Sequence, residues 1–163
     1  MELERLMIMI SPELLRRYPL FGSLSEEQLQ SIASIAHEIE WEAGETVFEL
    51  GSQADSLYLL MEGSVNLFYR VEDKLNPDMM KDFGVGEINL GEPFGISALF
   101  EPYVLTASAV ATRSSKGVRM DAQRLLQLGS YDLELGMILQ RELIKAVFER
   151  LTYVRTQLAA ARV

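Results

Sequence analysis

Leu90-Gly91-Glu92-Pro93-Phe94-Gly95-Ile96-Ser97-Ala98-Leu99-Phe100-Glu101-Pro102-Tyr103-Val104-Leu105-Thr106-Ala107-Ser108-Ala109-Val110-Ala111 is the stretch on which the reading of this chain turns. A Gly-x-x-x-Gly approach into a short helical turn presents backbone N–H groups that suit an anion. The turn is expected to begin at Gly95, with hydroxyls of Ser97, Thr106 and Ser108 close by. Yet no Lys, Arg or His occurs from Asp82 through Thr112. The layout of a phosphate-binding turn is present without its side-chain cation.

On both sides of this stretch, short β-branched and aromatic runs are separated by Gly-containing turns, the pattern of an all-β sandwich or barrel. The runs are Thr46 to Glu49, Ser56 to Met61, Ser64 to Val71, Glu87 to Leu90, Thr106 to Thr112 and Ser115 to Met120. Glu62-Gly63 predicts a tight turn, and the polar break Lys74-Leu75-Asn76-Pro77-Asp78 predicts a mobile hairpin tip.

Helices are expected at both ends. Ser25-Glu26-Glu27-Gln28 fits a capping box with Leu24 and Leu29 as its hydrophobic staple, so a helix should start at Ser25 and run to about His37. Upstream, Leu3 to Ile10 and Pro12 to Arg17 read as shorter helical pieces. After Asp121 to Leu126, a brief helix, Gly129-Ser130 is expected to interrupt the chain before a long helix. There Leu133, Met137, Ile144, Val147, Leu151, Val154 and Leu158 recur by fours and threes, with Gln140 the one polar member. This is a coiled-coil-like seam suited to a second subunit, while Leu139, Leu143 and Phe148 lie on an adjacent face suited to the chain's own β-domain. The expected organisation is a helical segment over 1–38, the β-domain over 39–120, and C-terminal helices over 121–163 for hinge and dimerisation.

With 163 residues, 48% of them hydrophobic, the chain can bury the core of one ordinary domain. It has no Cys, which removes disulfides and thiol chemistry and points to a reducing compartment, the cytoplasm. No apolar run reaches the length of a membrane span, and the N-terminus lacks the basic region of an export signal. A formal charge of −9 repels polyanions and argues against nucleic acid as a partner. The one candidate basic helix, the C-terminal segment with Arg141, Lys145, Arg150, Arg155 and Arg162, has Glu134, Glu142 and Glu149 interleaved, which reads as a solvated helix face.

Leu20-Phe21, Leu24, Gly44-Glu45-Thr46-Val47-Phe48, Gly51, Ala54-Asp55-Ser56-Leu57-Tyr58, Gly63-Ser64-Val65, Gly91, Phe94-Gly95, Ala98-Leu99 and Thr106-Ala107-Ser108 together resemble the cyclic-nucleotide-binding domain family over positions from roughly 15 to 130. The resemblance implies a mainly β fold, an antiparallel β-roll or jelly roll (a double-stranded β-helix, cupin-like) with N-terminal helices and a long C-terminal helix. It also implies a ligand cassette at Gly91, Phe94, Gly95, Ile96, Ser97, Ala98, Leu99, Leu105, Thr106, Ala107 and Ser108. In the family a Glu after Phe-Gly bonds the ribose and an Arg about ten residues later neutralises the cyclic phosphate. Here the Glu position is Ile96, and the Arg position falls on Leu105, or on Val104 or Thr106 if the register slips. Cyclic AMP and cyclic GMP are therefore expected to bind weakly or not at all, and no cofactor is expected.

The remaining candidates read as structure. A metal-dependent cupin needs two or three His with a carboxylate, and this chain has one His, His37, expected to cap a helix C-terminus or lie at the surface. Trp41 should cover the seam between helix and sheet, and Phe100 and Tyr103 should either stack on a ligand or fill the mouth of the cassette. Nucleophile triads and P-loops are absent from the sequence, and Gly84-Val85-Gly86 lacks the third glycine of a dinucleotide fingerprint. The expectation is a non-enzymatic sensor or regulatory module, a homodimer through Met137, Ile144, Val147, Leu151, Val154 and Leu158, open to a small-molecule ligand or a protein partner. The alternative is a ligand-free scaffold whose pocket is plugged by its own side chains. A transcription factor is not expected, since the roughly forty residues after the roll leave no room for a helix-turn-helix beyond the long helix.

Overall fold

The computed structural model describes residues 8–76 and 78–162. Its strands are β1 (Ile8–Met9), β2 (Ala36–Trp41), β3 (Thr46–Phe48), β4 (Ser56–Glu62), β5 (Val65–Glu72), β6 (Met80–Ile88), β7 (Pro93–Phe94), β8 (Ser108–Ala111) and β9 (Ser115–Asp121). They form two antiparallel sheets, ordered β1-β2-β9-β4-β7 and β3-β8-β5-β6. Helices α1 (Pro12–Leu15), α2 (Glu26–Ser34), α3 (Ala122–Tyr131) and α4 (Leu133–Ala160) flank them, and a 3₁₀ turn covers Ile96–Leu99. This is the expected β-roll with helical ends.

Strand β4 explains how the layers hold together. Residues 56 to 60 are all buried because both faces of the strand are covered. Leu57 and Leu59, with Val118 and Met120 of β9, pack outward against Leu29 and Ile32 of α2 and Leu135, Leu139 and Leu143 of α4. Tyr58 and Leu60 point into the roll, against Trp41, Val65, Leu67, Ile88, Phe94, Ala109 and Ala111. Trp41 thus belongs to the roll interior and does not cover the seam between helix and sheet. Its ring lies over Gly117, where an added Cβ would come within 2.8 Å of it.

The capping box at Ser25 is complete: Gln28 N–H donates to Ser25 Oγ at 3.2 Å, and Ser25 N–H donates to Gln28 Oε1 at 2.9 Å. Helix α2 stops at Ser34, however, and Ala36–Trp41 is a strand paired along its length with β9. His37 consequently sits second in β2, opposite Arg119, and caps no helix. Ile8 and Met9, read as the end of a helix, pair instead with Glu38 and His37; the rest of that expected helix, through Met7, lies outside the described residues.

Two further boundaries differ from expectation. The run at Glu87 is the end of the nine-residue strand β6, which pairs with β5 back to Glu72. The two form a hairpin closed at its tip by Met79 N–H to Asn76 O, 2.8 Å, and Asp73 N–H to Met79 O, 3.1 Å. Gly129-Ser130 does not interrupt α3. The break comes at Asp132, whose carboxylate accepts Leu135 N–H at 3.1 Å and Gln28 Nε2–H at 3.1 Å, tying the start of α4 to the start of α2. Gly129 serves instead as a contact point between the two helices: an added Cβ at Gly136 would meet Gly129 O at 2.7 Å.

Candidate ligand-binding site

The cassette runs from β7 into the 3₁₀ turn and back through a loop to β8. Gly95 joins the first two with φ +76°, and an added Cβ there would lie 2.9 Å from Ser56 O and 3.1 Å from the Tyr58 ring. Only glycine satisfies both the left-handed conformation and that close approach. The turn itself is four residues long, so its dipole is short.

A cavity of about 400 Å³ opens here. Phe94, Gly95, Ile96, Ser97, Leu105, Thr106 and Ala107 of the expected cassette line it, and Phe100 stands at its edge. Ile96 and Leu105, expected at the positions of the family's Glu and Arg, are both walls of the cavity, 9% and 6% exposed; of the two alternatives for the Arg position, Thr106 also lines the cavity, whereas Val104 is 40% exposed and takes no part. The other cassette candidates lie outside it. Gly91 donates its N–H to Leu60 O at 2.7 Å, Ala98 and Leu99 pack with Ala54, Leu105 and Ala122, and Ser108 Oγ accepts Leu50 N–H at 2.9 Å. Tyr103 is not part of the lining.

Behind the cavity the roll is filled with aromatic rings. Tyr58 and Phe94 stack with centroids 5.3 Å apart, and Trp41 and Phe48 lie 5.9 Å and 5.8 Å from Tyr58. Burial pushes the Tyr58 phenol up from its ordinary value, so it stays neutral there.

The fourth side of the cavity comes from α4, through Val147, Arg150, Leu151 and Val154. Arg150 Nη2 donates to Pro93 O at 2.8 Å and lies 3.4 Å from Glu92 Oε2. Glu92 Oε1 in turn accepts Asn89 Nδ2–H at 2.6 Å. The sequence reading placed Arg150 on a solvated face. The signal that marks it is its spacing: at 3.6 residues per turn, a residue seven positions after Leu143 returns to the same side of the helix, and Leu143 is buried against the sheet. Arg113, just after the cassette, points elsewhere, with Nη2 3.3 Å from Gly63 O.

The seam residues divide accordingly. Val147, Leu151 and Val154 border the cavity, while Met137, Ile144 and Leu158 do not and are 73%, 68% and 55% exposed. Phe148, expected to pack on the β-domain, is 62% exposed, and Leu135 takes a place in the core with Leu139 and Leu143.

The family model described as "Cyclic nucleotide-binding domain" matches residues 38–132. Among curated proteins, the chain is 33% identical over 101 residues to a cGMP-dependent protein kinase, isozyme 1, of Drosophila melanogaster, covering 62% of this chain and 13% of the kinase. It is 25% identical over 113 residues to a CRP-like cAMP-activated global transcriptional regulator of Mycobacterium tuberculosis, covering 69% of this chain and 48% of the regulator. The chain thus spans less than half the length of both. Among solved structures, a putative cyclic nucleotide-binding protein from Geobacter metallireducens superposes with a TM-score of 0.75 at 38% identity, covering 88% of this chain and 99% of that one. Among the described residues, no helix is long and apolar enough to cross a membrane.

Proposed function

Since this chain belongs to the cyclic nucleotide-binding domain family, we propose that it is a non-enzymatic regulatory module of that family, acting in the cytoplasm, whose cavity holds cyclic AMP and cyclic GMP weakly or not at all. The observation that carries this reading is the pair of aliphatic walls, Ile96 and Leu105, where relatives place a ribose-binding carboxylate and a phosphate-binding guanidinium. A charge-assisted hydrogen bond contributes about 1.5–3 kcal/mol, so losing a two-pronged Arg contact weakens binding by roughly two to four powers of ten. Arg150 lines the cavity but is shared with Glu92, which lowers its value to a second anion.

Calorimetric titration of the chain with cyclic AMP and cyclic GMP tests this: no heat of binding in the micromolar range is expected, and micromolar or tighter affinity overturns it. The ligand-free scaffold draws support from the aromatic filling behind the cavity; a metabolite screen without any thermal shift would favour it.

The same reading takes the module as a homodimer through the outward stripe of α4. Leu133, Met137, Ile144, Leu151 and Leu158 fall within about 60° of arc at 3.6 residues per turn, and they are 42–73% exposed in the single chain. A contact at that stripe would adjoin the cavity through Leu151, and so give a ligand a route to the partner subunit.

A further inference from the structure

The cavity has one cation and an otherwise largely apolar wall, and that cation does not come from the cassette. Arg150 is brought in by α4, and its side chain is 26% exposed. Both of its contacts use the same nitrogen, Nη2: a good hydrogen bond to Pro93 O and a long one to Glu92. Among the described residues, Nε and Nη1 have no partner; each forms a planar donor fork only together with Nη2, so a carboxylate that takes either fork at the edge of the apolar cavity competes with Glu92 for Nη2.

Resting on the reading of the cavity as a divergent ligand site, we propose that it takes an amphipathic monocarboxylate, with the carboxylate on Arg150 and the apolar body against Ile96, Leu105 and Phe94. Three features select that class. The guanidinium fork matches a carboxylate in two parallel hydrogen bonds. The body faces Phe48, Leu67, Phe94, Ile96 and Leu105, with only Ser97 and Thr106 offering hydroxyls, too few to satisfy a sugar and a base. Finally, Glu92 already balances Arg150, so each added negative charge is uncompensated, and one charge is opposed less than two. The ligand carboxylate and Glu92 compete for one guanidinium. Binding therefore loosens the Glu92 contact that fastens α4 to β7, and the position of α4 becomes the readout of occupancy.

The test uses the full chain and three probes of one length, octanoate, 1-octanol and octylamine, titrated by calorimetry with cyclic AMP run alongside. Octanoate should bind tighter than octanol by roughly tenfold to a hundredfold, the value of about one charge-assisted hydrogen bond, since the other is offset by the loss of Glu92. Arg150→Gln should abolish that difference, octanoate falling to the affinity that the same variant shows for octanol. Glu92→Gln should raise octanoate affinity by removing the competitor, a gain that misfolding cannot produce. Equal affinity for octanoate and octanol, preference for octylamine, no binding of any probe, or an unchanged octanoate affinity in Glu92→Gln would each overturn the proposal. Those outcomes leave weak cyclic-nucleotide binding standing, whereas micromolar cyclic AMP overturns that reading whatever octanoate does.

Discussion

The two halves of α4 carry apolar residues at similar spacing and meet different surroundings. In the first half Leu135, Leu139 and Leu143 are 1%, 5% and 7% exposed, pressed between the first sheet and α2. In the second half Leu151, Val154 and Leu158 are 42%, 41% and 55% exposed, and the side-chain polar tie to the roll is Arg150 on Glu92 and Pro93. The first half is built into the core. The second overhangs a cavity, held by a hydrogen bond and an ion pair. The same helix thus packs into the core at one end and walls a cavity at the other.

The sharpest way to break this comparison is to remove one leucine from each half. Leu139→Ala leaves a hole in a closed core and should cost about 2–5 kcal/mol. Leu158→Ala, at an exposed position, should cost less than about 0.5 kcal/mol at high dilution. Urea unfolding of both variants gives the two numbers, and equal losses would mean that the halves are not different.

A second test addresses what the exposed stripe is for. Replacing Ile144 and Leu151 together by Glu would bury two unpaired charges in any contact along that stripe, weakening association by roughly two powers of ten or more. Sedimentation velocity should then show a monomer where the unmodified chain shows a dimer. An identical profile for both removes the dimer proposal.

Third in size is the junction that sets where the two halves point. Gly136→Ala puts a methyl group 2.7 Å from Gly129 O, which is backbone and cannot swing aside. A loss of about 1–3 kcal/mol is expected from such overpacking. Gly84→Ala in β6, with no atom within 4 Å of the added carbon, should be close to neutral and serves as the control. If both behave alike in thermal unfolding, the close contact between α3 and α4 does not fix the helix direction.

The fold was legible where a signal is local. The Ser25 capping box, the Glu62-Gly63 turn, where Gly63 has φ +95°, and the apolar run at Leu57 to Leu60 each have their meaning within a few residues, and each took the predicted form. Strand β2 was not legible, because Ala36 and His37 continue the helical spacing of Leu29, Ile32 and Ala33. What ends α2 is the pairing of Ala36 with Met120, a partner 84 positions away. The same limit governs the site. The missing cassette cation could be read directly from the stretch, but the arrival of Arg150 depends on the path of α4 across the roll. Arg150 alternates with glutamates like any solvated residue, and only its phase with Leu143 distinguished it.

The smallest effect concerns the sheet on which the anchored half of α4 rests. His37 lies opposite Arg119, between Ala36 of the core and Glu38. Burial first, and the Arg119 charge second, hold its imidazole below the ordinary value of 6.5. The unfolded chain therefore takes up a proton near pH 6.5 that the folded chain refuses until lower pH. Stability tied to this residue is complete above that point and declines as pH falls below it, ceasing to change once the folded imidazole is also protonated. His37→Gln should flatten this part of the profile, so that urea midpoints at pH 7.5 and pH 5.5 differ less for the variant than for the unmodified chain. Asp132 does not confuse the result. Its carboxyl is held below the usual range by the Leu135 N–H and by Gln28, so its own contribution is lost only on acidification below about pH 4. An equal drop in both proteins would mean that water and counter-charge reach His37 freely, and that β2 under the anchored half is looser than the core beside it.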